Sequence, residues 1–192
     1  ILALAKRLEE GRSTIIDGLW TEALAYFTTG LRGRTLGLFG FGKIGQRIAE
    51  IAAAFGMKVI ATVRDSSRRR SVKTVDFDEL LDRSDFLVVV APATPETHEI
   101  FNRRAFEMMQ TTAFLVNVSR GALVHEGDLA MALDDGLIAG AGIDVFQEEP
   151  PDPESLLVRH PKAVVTPHVA WGTDSAVQML LDASIAHVEA FV

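Results

Sequence analysis

Three residues each stand just past the end of an apolar run: Arg120 after 113–118, Glu149 after 138–143 and His168 after 163–166. A histidine titrates near neutrality, so it can give and take a proton at working pH. A carboxylate beside it favours the imidazolium form. An arginine keeps its proton and presents a planar fork that matches a carboxylate at two points. These types suit proton transfer to an oxygen of a small acid held by its own carboxylate. Each also has a plainer reading. A lone histidine after a strand is more often structural, and Glu148-Glu149 before Pro150-Pro151 fits a solvated turn in which either glutamate is the candidate. Arg120 closes Asn117-Val118-Ser119-Arg120-Gly121, where an unpaired charge at the end of a buried strand would be costly. His98, His125, His160 and His187 lack comparable surroundings and are expected at the surface or at helix ends.

Elements that could position such residues recur along the chain. Strands are predicted at residues 35–39, 58–63, 85–91, 113–118, 138–143 and 163–166. Most are continuous apolar runs, the pattern of strands covered on both faces. Between them, Ile44, Ile48, Ala52 and Phe55 fall on one helical face, as do Leu129, Ala132 and Leu133. Alternating strands and helices predict an α/β fold, a Rossmann-like doubly wound parallel sheet. In such sheets the site lies beyond the carboxyl ends of the strands, where Arg120, Glu149 and His168 stand. Leu4, Leu8, Ile15, Ile16 and Leu19 recur at helical spacing near one end, and Val177, Leu180, Leu181, Ile185 and Val188 near the other. The expected division is a linker-helix region at 1–30, a dinucleotide-binding domain at 31–172 and a second interdomain helix at 173–192.

The first strand runs directly into Gly40-Phe41-Gly42-Lys43-Ile44-Gly45, a Gly-x-Gly-x-x-Gly followed by an amphipathic helix. Gly40 permits the tight turn, Gly42 lets backbone approach a pyrophosphate, and Gly45 allows close helix–strand packing. Amides and the dipole at the helix N-terminus then favour the anionic group. The second strand places Val63, which accepts no hydrogen bond, where a carboxylate would read a ribose hydroxyl. Arg64, with Arg68, Arg69 and Arg70, could pair with a 2′-phosphate, so NADP(H) is favoured; Asp65 would serve NAD after a small register shift.

The glycine turn, Asn117-Val118-Ser119-Arg120-Gly121, Gly142-Ile143-Asp144-Val145-Phe146-Gln147-Glu148-Glu149-Pro150 and Thr166-Pro167-His168-Val169-Ala170-Trp171 together resemble the D-isomer-specific 2-hydroxyacid dehydrogenases, over about residues 31–171. That resemblance implies hydride transfer between NAD(P)(H) and a small 2-oxo or D-2-hydroxy acid. It implies that His168 is the acid/base, that Glu149 orients it, and that Arg120 holds the substrate's carboxylate and carbonyl. It also implies cofactor contacts at Gly40, Gly42, Lys43, Ile44 (through its backbone amide), Gly45, Arg64, Pro92, Ser119 and Asp144, the last at the nicotinamide carboxamide. Trp171 is expected either at the substrate pocket or in the core. Family members pair through their nucleotide domains, so a homodimer is expected.

The resemblance implies a substrate domain that is largely absent from this chain. If these residues are all that exists, cofactor binding with little turnover is expected; if they are part of a longer protein, that protein is expected to be active. The alternative reading is a cofactor-binding module or a corepressor-like NAD(P)(H) sensor without turnover. Within the same fold, phosphite oxidation stays open, while formate oxidation calls for Gln where Glu149 stands. Composition narrows the rest. The chain has 192 residues, a net charge of −7 and no cysteine, which opposes nucleic-acid or anionic-membrane binding and excludes disulfides and thiolate chemistry. No metal site and a cytoplasmic location are expected.

Overall fold

The computed structural model describes residues 1–23, 28–64 and 72–191. Their organising feature is one parallel sheet of β1 (Thr35–Phe39), β2 (Lys58–Thr62), β3 (Lys73–Thr74), β4 (Phe86–Val89), β5 (Phe114–Asn117), β6 (Gly140–Ile143) and β7 (Ala163–Val165). The strands pair in the order β3-β2-β1-β4-β5-β6-β7. The chain therefore builds outward from β1 to β3, returns to lay β4 against the other side of β1, and continues to β7. That reversal leaves a crevice at the carboxyl ends of β1 and β4.

Helices α4 (Lys43–Ala54), α5 (Phe77–Arg83), α6 (Arg103–Met108) and α7 (Glu126–Asp134) connect the strands, and three of them begin at a side-chain cap. Asp76 accepts the Glu79 amide at 2.8 Å, Asn102 that of Ala105 at 3.4 Å, and His125 Nδ1 that of Asp128 at 3.1 Å. Each cap satisfies an amide the first turn leaves without a partner. Because side chains alternate along a strand, β4 feeds two cores. Leu87 and Val89 join Leu80, Phe101, Phe106 and Leu129 on one face. Phe86 and Val88 join Leu36, Leu38, Ala49 and Phe114 on the other. Phe39, Phe77 and Phe101 meet edge to face, with centroids 5.2 to 5.5 Å apart.

All six predicted strands are present, mostly one to three residues shorter than expected; the two-residue β3 was not foreseen. The expected face of α4 is met in part: Ala52 is buried and Ile48 packs against the core. Gly45, Ala49 and Ala52 are its buried residues, while Ile44 and Phe55 are 65% and 46% exposed. The fully buried positions of the seam carry small residues, with Ile48 packed partly beside them. At the N-terminus the apolar spacing breaks into α1 (Leu2–Ala5), α2 (Leu8–Ile16) and α3 (Trp20–Ala23), with Arg7 at φ 49° between the first two and Gly18 at φ 73° between the last two. His160 is buried rather than at the surface. Its Nε2 faces Asp134 at 3.2 Å and its Nδ1 accepts the Lys162 amide at 3.1 Å, so both ring nitrogens close the loop before β7. The final helix, α8 (Asp174–Phe191), buries none of its residues. Among the described residues no helix is long and apolar enough to cross a membrane, and no cluster of three or more His, Asp or Glu could hold a metal.

Candidate active site

The glycine turn is built for close approach. Gly40 has φ +103°, and a Cβ there would lie 2.9 Å from the Ala91 nitrogen, so neither the conformation nor the space admits a side chain. A Cβ on Gly45 would lie 2.9 Å from the Gly40 oxygen, whereas on Gly42 it would meet nothing within 4 Å. Gly42 thus faces open space at the N-terminus of α4, where no side chain caps the helix. Lys43 and Ile44 follow it on the exposed first turn. Uncapped amides and the helix dipole at this point suit an anion.

Two cavities open along the carboxyl ends of the strands. One, of about 810 Å³, is lined by Gly40, Val63, Arg64, Ala91, Pro92 and Glu96 among others. The second, of about 880 Å³, includes Ala91, Pro92, Ser119, Arg120, Glu149 and His168. They share Ala91 and Pro92, so an elongated ligand can run from the end of β2, past the turn and the end of β4, to the three candidate catalytic residues. Asp65, Arg68, Arg69 and Arg70 lie outside the described residues. A smaller cavity of about 270 Å³, at the opposite rim beside Leu4 and Gly140, is lined by Arg7, Glu9, Glu10 and Lys162 and by no histidine.

Residues far apart in the chain meet in the second cavity. His168 Nδ1 lies 2.8 Å from Glu149 Oε2, and Glu149 Oε1 accepts the Phe146 amide at 3.1 Å. The His168 hydrogen bond, and after it the Phe146 amide, hold the Glu149 carboxyl below its ordinary pKa. Of the two adjacent glutamates it is Glu149 that faces the histidine. Arg120 lies with its Nη1 2.7 Å from the Ser119 oxygen. The Ser119 hydroxyl donates to the Ala91 carbonyl, tying this turn to the end of β4.

Asp144 is 4% exposed and acts on the histidine's own loop. Its Oδ1 accepts the Thr166 hydroxyl at 2.5 Å and the Val169 amide at 2.9 Å, and its Oδ2 accepts the Ala170 amide at 3.0 Å. Its carbonyl accepts the His168 amide at 2.8 Å. These bonds bracket His168, whose φ of 52° is unusual for a residue with a side chain. Burial opposes ionisation of Asp144, yet the Thr166, Ala170 and Val169 donors outweigh it and lower its pKa. Trp171 is 60% exposed and outside the core. Sequence reasoning passed over Asn117 and Thr166; the available signal was a polar residue at the end of an otherwise apolar strand.

The model of the D-isomer specific 2-hydroxyacid dehydrogenase, NAD binding domain, matches residues 1–170. A glyoxylate reductase of Thermococcus litoralis is 38% identical over 186 residues, covering 92% of this chain and 56% of that protein. An NADPH-dependent glyoxylate/hydroxypyruvate reductase of Sinorhizobium meliloti, solved with NADP and malonate, superposes with TM-score 0.86 at 32% identity, over 99% of this chain and 60% of that one. A D-lactate dehydrogenase of Lactobacillus jensenii, solved with NAD+, gives TM-score 0.85 at 27% identity, over 96% and 60%. The chain thus spans between 56% and 60% of the length of these relatives. With a parallel sheet, a glycine turn and matching cavities already in place, the chain belongs to the D-isomer specific 2-hydroxyacid dehydrogenase family.

Proposed function

We propose that the whole protein interconverts a small 2-oxo acid and the corresponding D-2-hydroxy acid, with this chain as its nucleotide-binding part. The observation that carries the reading is the 2.8 Å pair of His168 and Glu149 in one cavity with Arg120. When bound, a nicotinamide dinucleotide supplies or accepts the hydride. Gly40, Gly42, Lys43, Ile44 and Gly45 would hold its pyrophosphate, with Pro92, Ser119 and Asp144 towards the nicotinamide. In the reductive direction negative charge develops on the substrate's carbonyl oxygen. Because His168 turns Nδ1 to Glu149, Nε2 is left to donate a proton to that oxygen; in the reverse direction the neutral ring takes it back. Glu149 keeps the ring oriented. Arg120 binds the substrate's carboxylate bidentately and so fixes which carbonyl faces the histidine. NADP(H) is the preferred cofactor in this reading, supported by Arg64 and by Val63, which offers no acceptor to a ribose hydroxyl. Residues 31–172 form the dinucleotide-binding domain, flanked by helical segments at 1–30 and 173–192, and the assembly is a homodimer by family analogy.

Oxidation of NADH or NADPH by the whole protein, with glyoxylate and hydroxypyruvate as acceptors, tests the reaction; absence of turnover with both acceptors counts against it. Titration with each nucleotide, read by tryptophan fluorescence, tests the cofactor preference. Equal or tighter binding of NADH removes it.

A further inference from the structure

We propose that Gly121 and Asn117 are positioning residues that fix the separation between the Arg120 turn and the Glu149 loop, so that substrate anchor and proton donor address one bound 2-oxo acid; this rests on the dehydrogenase reading above. Asn117, the last residue of β5, is 1% exposed. Its Oδ1 accepts the Ser119 amide at 3.1 Å and its Nδ2 donates to the Arg120 carbonyl at 2.9 Å, so one side chain holds both ends of the turn that carries Arg120. A buried amide that lost these partners would be costly, which keeps the turn in this shape. The Asn117 carbonyl also accepts the Asp144 amide at 3.0 Å, joining the same residue to the end of β6.

Gly121 performs the second half of the task. A Cβ placed on it would lie 1.9 Å from the Phe146 carbonyl carbon, 2.0 Å from the Phe146 oxygen and 2.4 Å from the Gln147 nitrogen. All three are backbone atoms, which no rotamer change can move aside. Gly121 is therefore required by the contact, since two loops from neighbouring strands touch main chain to main chain there. The peptide that this Cβ would strike joins Phe146 to Gln147. Phe146 gives its own amide to Glu149 Oε1, and Glu149 Oε2 meets His168, so the residue under Gly121 is one hydrogen bond from the catalytic pair. A side chain at 121 pushes Phe146, and the carboxylate held by its amide, away from Arg120 by a distance on the order of 1 Å, enough to lower turnover about 10²-fold.

The test compares wild type, Gly121→Ala and Asn117→Ser in the whole protein, using glyoxylate as acceptor and NADH as probe. Gly121→Ala is expected to lower kcat/KM for glyoxylate by about 10²-fold. Asn117→Ser is expected to raise KM for glyoxylate more than it lowers kcat, because the Arg120 turn loosens. In both variants the Kd for NADH should change far less than the glyoxylate kinetics, since the glycine turn that would hold the pyrophosphate lies elsewhere and Asn117 reaches only the nicotinamide end, through Ser119 and Asp144. Unchanged glyoxylate kinetics in either variant would overturn the assignment, as would losses in both variants that simply follow a loss of NADH affinity. A wild-type protein that reduces no 2-oxo acid with either NADH or NADPH removes the parent reading, and this one with it, before any variant is made.

Discussion

Replacing Asp144 by asparagine takes an acceptor from a carboxylate that already serves three donors. The Thr166 hydroxyl and Val169 amide reach Oδ1, and the Ala170 amide reaches Oδ2. Whichever way the new amide turns, its NH2 confronts one of the two backbone N–H groups. A hydrogen bond to a charged acceptor contributes about 1.5–3 kcal/mol. Ala170 is exposed, so water recovers part of the loss and the lower figure, about 1.5–2 kcal/mol, applies. For a domain of this size that corresponds to a fall in Tm of roughly 3–8 °C. The deficit carries a pH signature. Asp144 has a lowered pKa, so its contribution is complete above the unfolded carboxyl value of about 3.9 and is lost as pH falls through the folded value. The Tm gap between Asp144→Asn and wild type should therefore be full at neutral pH and close on acidification. Turnover should fall by a factor of about 10–10², because the left-handed backbone at His168 persists only while its surroundings hold it. The assay is thermal unfolding across pH alongside glyoxylate reduction. A neutral-pH gap near zero, or one that widens in acid, would mean that the Asp144 carboxylate does not clasp residues 166–170.

Gly40→Ala forces a side chain into φ +103° and against the Ala91 nitrogen, so strain and overpacking of about 1–3 kcal/mol each should lower Tm and weaken NADH binding at least about 10-fold. Isothermal titration that finds normal affinity would separate this turn from the cofactor. Glu149→Gln should lower kcat about 10²-fold. Glu149 stays ionised below its ordinary pKa of about 4.3, so the acid limb of the rate profile lies below that pH and disappears in the variant; a limb that survives belongs to another group. Arg64→Ala should raise the Kd for NADPH about 10-fold or more and leave NADH nearly unchanged, as expected for loss of a charge-assisted contact. Equal losses for both nucleotides would give Arg64 a general role instead.

The parallel strands were legible because burial on both faces leaves uninterrupted apolar runs, such as Phe86–Val89. Lys73–Thr74 was not, because two half-exposed residues carry no pattern and owe their strand geometry to the backbone of β2. The face of α4 was legible only in part, because helix burial was inferred mainly from large apolar residues, while the fully buried positions of the seam carry Gly45, Ala49 and Ala52. At the site, Arg120, Glu149 and His168 were visible as polar residues at strand ends. Hidden were the parts that aim them: the main-chain contact under Gly121, the bonds of Asn117, and the clasp of Asp144 on residues 166–170. Such contacts join residues distant in sequence through backbone groups, which every residue type carries alike.

The central claim is that His168 moves the proton and does not serve to bind nucleotide. Glyoxylate-dependent NADH oxidation and NADH affinity, measured on the same preparations of the wild-type whole protein and of His168→Ala, address it directly. The account requires kcat to drop by about 10²–10⁴-fold while the Kd for NADH holds. Full turnover in the variant would contradict it, as would a loss of turnover matched by an equal loss of NADH binding.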